Sequence, residues 1–163
     1  MDFLISALVI GSGATALIDL WTLLRKRLFD IALPDYGLVG RWLAHMPRGR
    51  FRHDAITAAP AVAGEGFIGW IAHYLVGTAF AAALLGLCGP SWRQHPSLGP
   101  ALAVGIGTVA MPFLLMQPGM GAGIAGSRTP RPAAARLQSL LTHAIFGLGL
   151  YAAGWMASGL YAP

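Results

Sequence analysis

Asp19, His73 and His143 are lone ionisable side chains within stretches otherwise almost free of charge, each about two turns from one end of its stretch. A run of roughly 20 apolar residues crosses a bilayer as a helix, and an ionisable group inside such a run is costly enough to mark a functional site by default. Asp19 lies six residues before Arg25, His73 eight after Glu65 and His143 seven after Arg136. At about 1.5 Å per residue all three sit roughly 9 to 12 Å inside one boundary and occupy a single layer. A carboxyl group beside an imidazole can hand over a proton or pair with it as an ion, so the layer suits a proton relay or a polar substrate site. Thr15 belongs with it, because Ser12, Thr15, Asp19 and Thr22 recur every three or four residues and share one helix face. The plainer account is that these groups hold helices in register, polar pairs between membrane helices being worth about a kilocalorie or less.

A second set is basic. Arg48, Arg50, Arg52 and His53 form a run after the helix breakers Met46, Pro47 and Gly49, and Arg128 lies in a later connection. Guanidinium groups so clustered suit a phosphate or a lipid headgroup through charge-assisted hydrogen bonds, although fixing topology is their commoner use. Haem b held by His73 and His143, each followed four residues on by a glycine, is a minor alternative, and the expectation is no cofactor. Asp19 with the two histidines falls one ligand short of a protein metal site, so none is expected. No set of nucleophile, base and orienting residue emerges from the spacing, which argues against an enzyme.

The elements that must position these residues follow from composition. Of 163 residues, 56% are hydrophobic and 10% charged, against about one quarter charged in ordinary soluble domains. Uncharged windows predict helices at about 3–24, 66–89, 98–117 and 137–161, and each can cross about 30 Å of hydrocarbon with its backbone bonds satisfied internally. A soluble bundle would not carry helices apolar on every face. The expectation is an all-α, integral membrane four-helix bundle in one domain. The first window is expected to be retained as a span, since Met1 and Asp2 precede it and the basic Arg25, Lys26 and Arg27 follow it.

Charge sets the orientation. Seven basic residues lie between the first two windows, three between the third and fourth (Arg128, Arg131 and Arg136), and only Arg93 in the second connection. Four crossings place the first and third connections on one side, so ten of the eleven basic residues are cytoplasmic if both termini face outward, which in a bacterium means the periplasm. The net charge of +5 is thereby assigned to anionic lipid headgroups and topology, with no nucleic-acid partner. Cys88 stands alone, excludes an intrachain disulfide and reads as a small apolar residue.

The first connection, about 25–65, carries a short pattern at Tyr36 to His45 in which Leu38, Val39, Trp42 and Leu43 share a face suited to the headgroup layer. Gly121-Ala122-Gly123-Ile124-Ala125-Gly126 matches the dinucleotide fingerprint in letters, but no strand pattern precedes it, and the nucleotide reading is discarded. Gly119 to Pro132 reads instead as a surface or re-entrant turn, with Pro130 and Pro132 keeping the fourth helix from starting early. Pro112 predicts a kink or a freed carbonyl at Thr108. The halves also resemble one another: IAHYLVG and LTHAIFG share His73/His143 and Gly77/Gly147, and GSGAT parallels GIGTV at Gly11/Gly105 and Gly13/Gly107. Such a pattern suggests two tandem helical hairpins in one orientation.

The order GSGATALIDLW, GRWLAHMPRGRFRHD, GWIAHYLVG, MQPGMGAGIAGSRTP and LTHAIFGLGLY resembles a family of small bacterial inner-membrane proteins catalogued as a domain of unknown function, over nearly the whole chain. The resemblance implies a four-span membrane protein and brings no activity, substrate or catalytic residue with it. The residues themselves suggest a polar Asp/His site near the cytoplasmic face for a small solute, headgroup or proton. The alternative is an accessory subunit or homo-oligomer whose small-residue faces pack on another chain.

The topology is checked by cysteine labelling. In a Cys88→Ala background, a cysteine at Arg50 is expected to react with an impermeant maleimide only after sealed cells are opened, and the chain to stay with membranes through an alkaline wash.

Overall fold

In the computed structural model, residues 2–159 are described and the long elements are helical throughout. The end of the fourth predicted span, 160–161, lies outside the described residues. Helix α1 spans Phe3–Phe29, α2 Tyr36–His45, α3 Glu65–Gln94, α4 Leu98–Gly119 and α5 Pro132–Ser158. Among the described residues, α1, α3, α4 and α5 are long and apolar enough to cross a membrane, and no strand occurs.

Each helix boundary has a local cause. α1 continues past its basic cluster, with Lys26 and Arg27 in the last turn, where cations oppose the carbonyl end of the helix dipole. It stops at Asp30, whose left-handed backbone (φ 52°) turns its N–H back onto the Lys26 carbonyl. α3 starts at Glu65, whose carboxylate accepts from the Val62 N–H at 2.9 Å. Its regular course breaks at Gly89, at φ 72°, before Pro90. In α4, Pro112–Met116 is π-helical, with the Gln117 N–H bonding to the Pro112 carbonyl. The ring brings no N–H for the preceding turn, and the helix is irregular there at Thr108 and Val109. α5 begins five residues earlier than the sequence reading placed it, because Pro132 occupies the first helical position, where a missing N–H costs nothing.

The chain divides into two compact units. The first comprises residues 1–33, 74–108 and 141–163 and is a four-helix bundle around Ile10, Ala14, Leu84, Ala101, Phe146 and Leu150. Its helices meet backbone to backbone. A Cβ on Gly11 would lie 2.5 Å from the Thr78 Cα, and one on Gly77 would run into the Thr15 hydroxyl. One on Gly105 would fall 2.4 Å from the Gly147 Cα, and one on Gly149 2.8 Å from the Ala14 Cα. Two of the aligned glycine pairs do the same job twice, Gly11 with Gly77 for α1 on α3 and Gly105 with Gly147 for α4 on α5, whereas Gly13 packs near Ala153 and Gly107 is open. The paired positions run antiparallel in both cases, as tandem hairpins require. Lipid is as apolar as leucine, so close van der Waals approach at small residues, rather than water exclusion, holds such helices.

The second unit comprises residues 34–73 and 109–140. Asp35 caps α2 by accepting from the Gly37 N–H at 2.9 Å. α2 then lies against the start of α3 with Gly40 over the Glu65 carbonyl and Gly69 over the Tyr36 carbonyl, contacts with no room for a Cβ. The Trp42 ring covers Gly119 and its indole N–H bonds to the Phe51 carbonyl at 2.9 Å. Two backbone bonds, His53 N–H to the Gly119 carbonyl (2.9 Å) and Ile56 N–H to the Met120 carbonyl (3.0 Å), tie the first connection to the end of α4.

Gly105→Leu is expected to cost about 1–3 kcal/mol by overpacking, read as a lower denaturation midpoint in detergent. Gly86→Ala, where a Cβ meets nothing within 4 Å, should leave that midpoint unchanged or raised.

Candidate functional site

The polar stripe of α1 is largely satisfied by α1 itself. The buried Thr15 hydroxyl donates to the Gly11 carbonyl at 2.7 Å and that of Thr22 to the Asp19 carbonyl at 2.9 Å, the usual way a helix absorbs a hydroxyl without water. Asp19 is half-buried. Its carboxylate accepts from the Tyr74 hydroxyl on α3 at 2.8 Å, within the first unit.

His143, also in the first unit, is held on α4. Its Nδ1 lies 2.9 Å from the Thr108 hydroxyl and 3.3 Å from the Gly105 carbonyl. The same hydroxyl donates to the Gly105 carbonyl at 2.6 Å. Thr108 has one proton and it is committed there, so the imidazole must be the donor between them. Nδ1 therefore carries hydrogen, and Nε2 is left with a lone pair as a proton acceptor or ligand.

His73 belongs to the second unit. Its Nε2 lies 3.0 Å from the Tyr36 hydroxyl, and the two rings stack with centroids 4.2 Å apart. Trp70 meets the His73 ring edge-on at 5.9 Å and the Tyr36 ring at 4.7 Å. The nitrogen that an axial haem ligand would usually offer is thus the one facing Tyr36.

Asp19, His73 and His143 are accordingly each described with a hydroxyl-bearing neighbour: Tyr74, Tyr36 and Thr108. None of these three partners was singled out as a site residue from sequence. The only available signal for the tyrosines was a hydroxyl on an otherwise apolar helix face, which an aromatic residue at the membrane boundary offers equally well.

The basic residues lie at the surface. Arg48, Arg50, Arg52 and Arg128 are exposed; Arg48 bonds to the Ala44 carbonyl at 3.0 Å and the Arg128 backbone N–H to the Ala122 carbonyl at 2.8 Å. The strongest charge pair in the second unit was not foreseen. Arg41 grips Glu65 with two parallel bonds, Nε to Oε2 at 2.8 Å and Nη2 to Oε1 at 2.7 Å. Its third nitrogen, Nη1, reaches the Ala59 carbonyl at 3.2 Å. The fork holds the returning connection against the start of α3, and the Glu65 carboxylate beside it keeps the guanidinium protonated even more firmly than usual. Among the described residues, no group of three or more His, Cys, Asp or Glu side chains is placed to hold a metal ion.

A family described as protein of unknown function, DUF2938, matches residues 8–157. No curated protein and no solved structure matches the chain.

Arg41→Ala is expected to free the 56–62 segment. Limited proteolysis of the purified protein in detergent should then cut the first connection markedly faster than in wild type, with Arg41→Lys intermediate because an ammonium cannot form the fork.

Proposed function

We propose that this chain, which belongs to the DUF2938 family of proteins of unknown function, is a multi-pass protein of the bacterial inner membrane that takes up a proton or a small polar solute at Asp19. In this reading both termini face the periplasm and the basic connections face the cytoplasm. Four helices long and apolar enough to span support the membrane setting, and the bias of ten basic residues in eleven supports the orientation.

The observation that carries the functional reading is the Asp19–Tyr74 bond inside predicted spans. The Tyr74 hydroxyl donates to the carboxylate and can rotate to accept from the protonated acid. The group can therefore pass through both states without losing this partner. His143, with Nε2 free to accept, is the second proton-binding group of the same unit. Thr15 lies one turn from Asp19 on the same face and serves the site by shaping it, its hydroxyl already spent on its own helix. In the second unit, the His73 and Tyr36 pair offers a similar exchangeable hydrogen bond. Arg48, Arg50, Arg52 and Arg128, exposed beside the cytoplasmic leaflet in this orientation, attract anionic headgroups or an anionic solute.

A second reading rests on α4. It is the least covered of the four long helices, and a Cβ at Gly99 or Gly107 would meet nothing of this chain. With Ala103 these residues form an exposed ridge at four-residue spacing, suited to a subunit that packs on a helix of another chain or of a second copy.

One experiment separates the two. Wild-type protein in proteoliposomes with an internal pH dye should dissipate an imposed proton gradient or take up solute. Asp19→Asn should reduce that flux at least about tenfold, and Tyr74→Phe should reduce it less, with folding of both checked by gel filtration. Flux that Asp19→Asn leaves unchanged removes the proposed role of Asp19, and an inert wild type favours the subunit reading.

A further inference from the structure

Trp21 and Arg25 stand one turn apart near the end of α1 and share one of its faces. Both are half-buried. The indole Nε1 of Trp21 and the guanidinium Nε of Arg25 are each shut off from solvent, and among the described residues neither has a hydrogen-bond partner. Two N–H donors on one helix face have thus given up water and found no acceptor in the chain, an arrangement that folded proteins avoid.

The charge of Arg25 is unanswered on its own helix as well. Asp30 is paired with Lys26, and Asp19 accepts from the Tyr74 hydroxyl. The contact that Arg25 does make is aromatic: its guanidinium carbon lies 5.9 Å from the centre of the Trp21 ring, at the outer limit of a cation–π contact. That contact draws the side chain toward the amino end of α1, the direction in which helical side chains lean, and so toward the apolar stretch. A cation that only fixes topology stays in water, as the exposed Lys26 and Arg27 do. Leu17, Leu20 and Leu24 continue beside this face toward the middle of the span, Leu20 and Leu24 being exposed.

We propose that Trp21 and Arg25 form a binding site for the phosphate of an anionic phospholipid in the cytoplasmic leaflet. A phosphodiester is a monoanion with several acceptor oxygens. One accepts from the Arg25 Nε–H, its charge answering the guanidinium in the bond that a planar fork makes best, and another accepts from the Trp21 Nε1–H. A turn of the half-buried guanidinium off the ring opens both donors, exchanging a long aromatic contact for charge-assisted hydrogen bonds. An acyl chain then has an apolar track along Leu20 and Leu24. Lys26 and Arg27, next along the helix, repel a headgroup that carries its own cation, so a glycerol headgroup is favoured over choline. The site rests on the membrane setting and orientation proposed above and is independent of any role for Asp19.

Native mass spectrometry of the full chain in a maltoside detergent, with dioleoyl phosphatidylglycerol added, tests the site together with the indole N–H signal of Trp21 in nitrogen-15 spectra. Wild type should retain one phosphatidylglycerol molecule where Arg25→Gln retains about tenfold less. Trp21→Phe, which keeps an aromatic ring and loses the donor, should fall between them. Arg27→Gln, the same charge change at an exposed position, should match wild type. The indole signal should move on adding phosphatidylglycerol and stay in place with phosphatidylcholine. Equal retention by Arg25→Gln and wild type, or an equal loss in Arg27→Gln, overturns the site. Inorganic phosphate that moves the indole signal to the same position without lipid assigns the donors to a free anion and overturns the lipid reading. Should the variants fail to fold, the wild-type titration decides, and an indole signal that phosphatidylglycerol leaves unmoved refutes the proposal. A chain released from membranes by an alkaline wash loses the membrane setting itself, whereas one that stays without preferring phosphatidylglycerol loses only this site.

Discussion

The constraint on which much of this structure depends is that polar groups buried between apolar helices are costly unless they find partners, and most of those placed here find one within the chain. Thr15 and Thr22 solve it locally by bonding back to their own helix. Asp19 and His143 cannot, because their chemistry extends beyond one turn, and each reaches a hydroxyl on a neighbouring helix, Tyr74 and Thr108. Those bonds fix more than position. The committed proton of Thr108 decides which nitrogen of His143 carries hydrogen, so the state of an imidazole is set by a backbone carbonyl two atoms removed, Gly105.

For helices apolar enough to cross a membrane, association in lipid gains little from burying leucine. The first unit is held where side chains are absent. Gly11, Gly77, Gly105, Gly147 and Gly149 bring backbones into contact that any Cβ would prevent. Gly11 with Gly77 and Gly105 with Gly147 recur at matching positions of two hairpins, which gives the sequence similarity of the two halves a packing cause. The halves then diverge in use: Gly77 sits against the Thr15 hydroxyl, whereas Gly147 sits against the backbone of Ala101 and Leu102.

The second unit follows ordinary aqueous rules more closely. An N-capped helix, a forked guanidinium–carboxylate pair and a short ladder between the first connection and the end of α4 organise a segment of mixed composition. Gly40 and Gly69 bring backbone against backbone there too, and the arginines left exposed between His45 and His53 are held by the backbone on either side of them.

Residue type and spacing alone determined that the chain is all-helical, that four of its helices are long and apolar enough to span a bilayer, that Tyr36 to His45 forms a separate short helix, and that its pattern is that of its family. Each of these follows from local quantities: charge-free length, breakers and periodicity. Tertiary structure alone decided which hydroxyl meets Asp19 or His143, that Arg41 reaches Glu65 across 24 positions, and that His45 and His53 face one another. It also decided that α5 opens on Pro132 and that Pro112–Met116 is wound as a π-turn. The physical reason is reach: hydropathy is summed along one helix, whereas a hydrogen bond depends on a distance between two elements that no single stretch of sequence encodes.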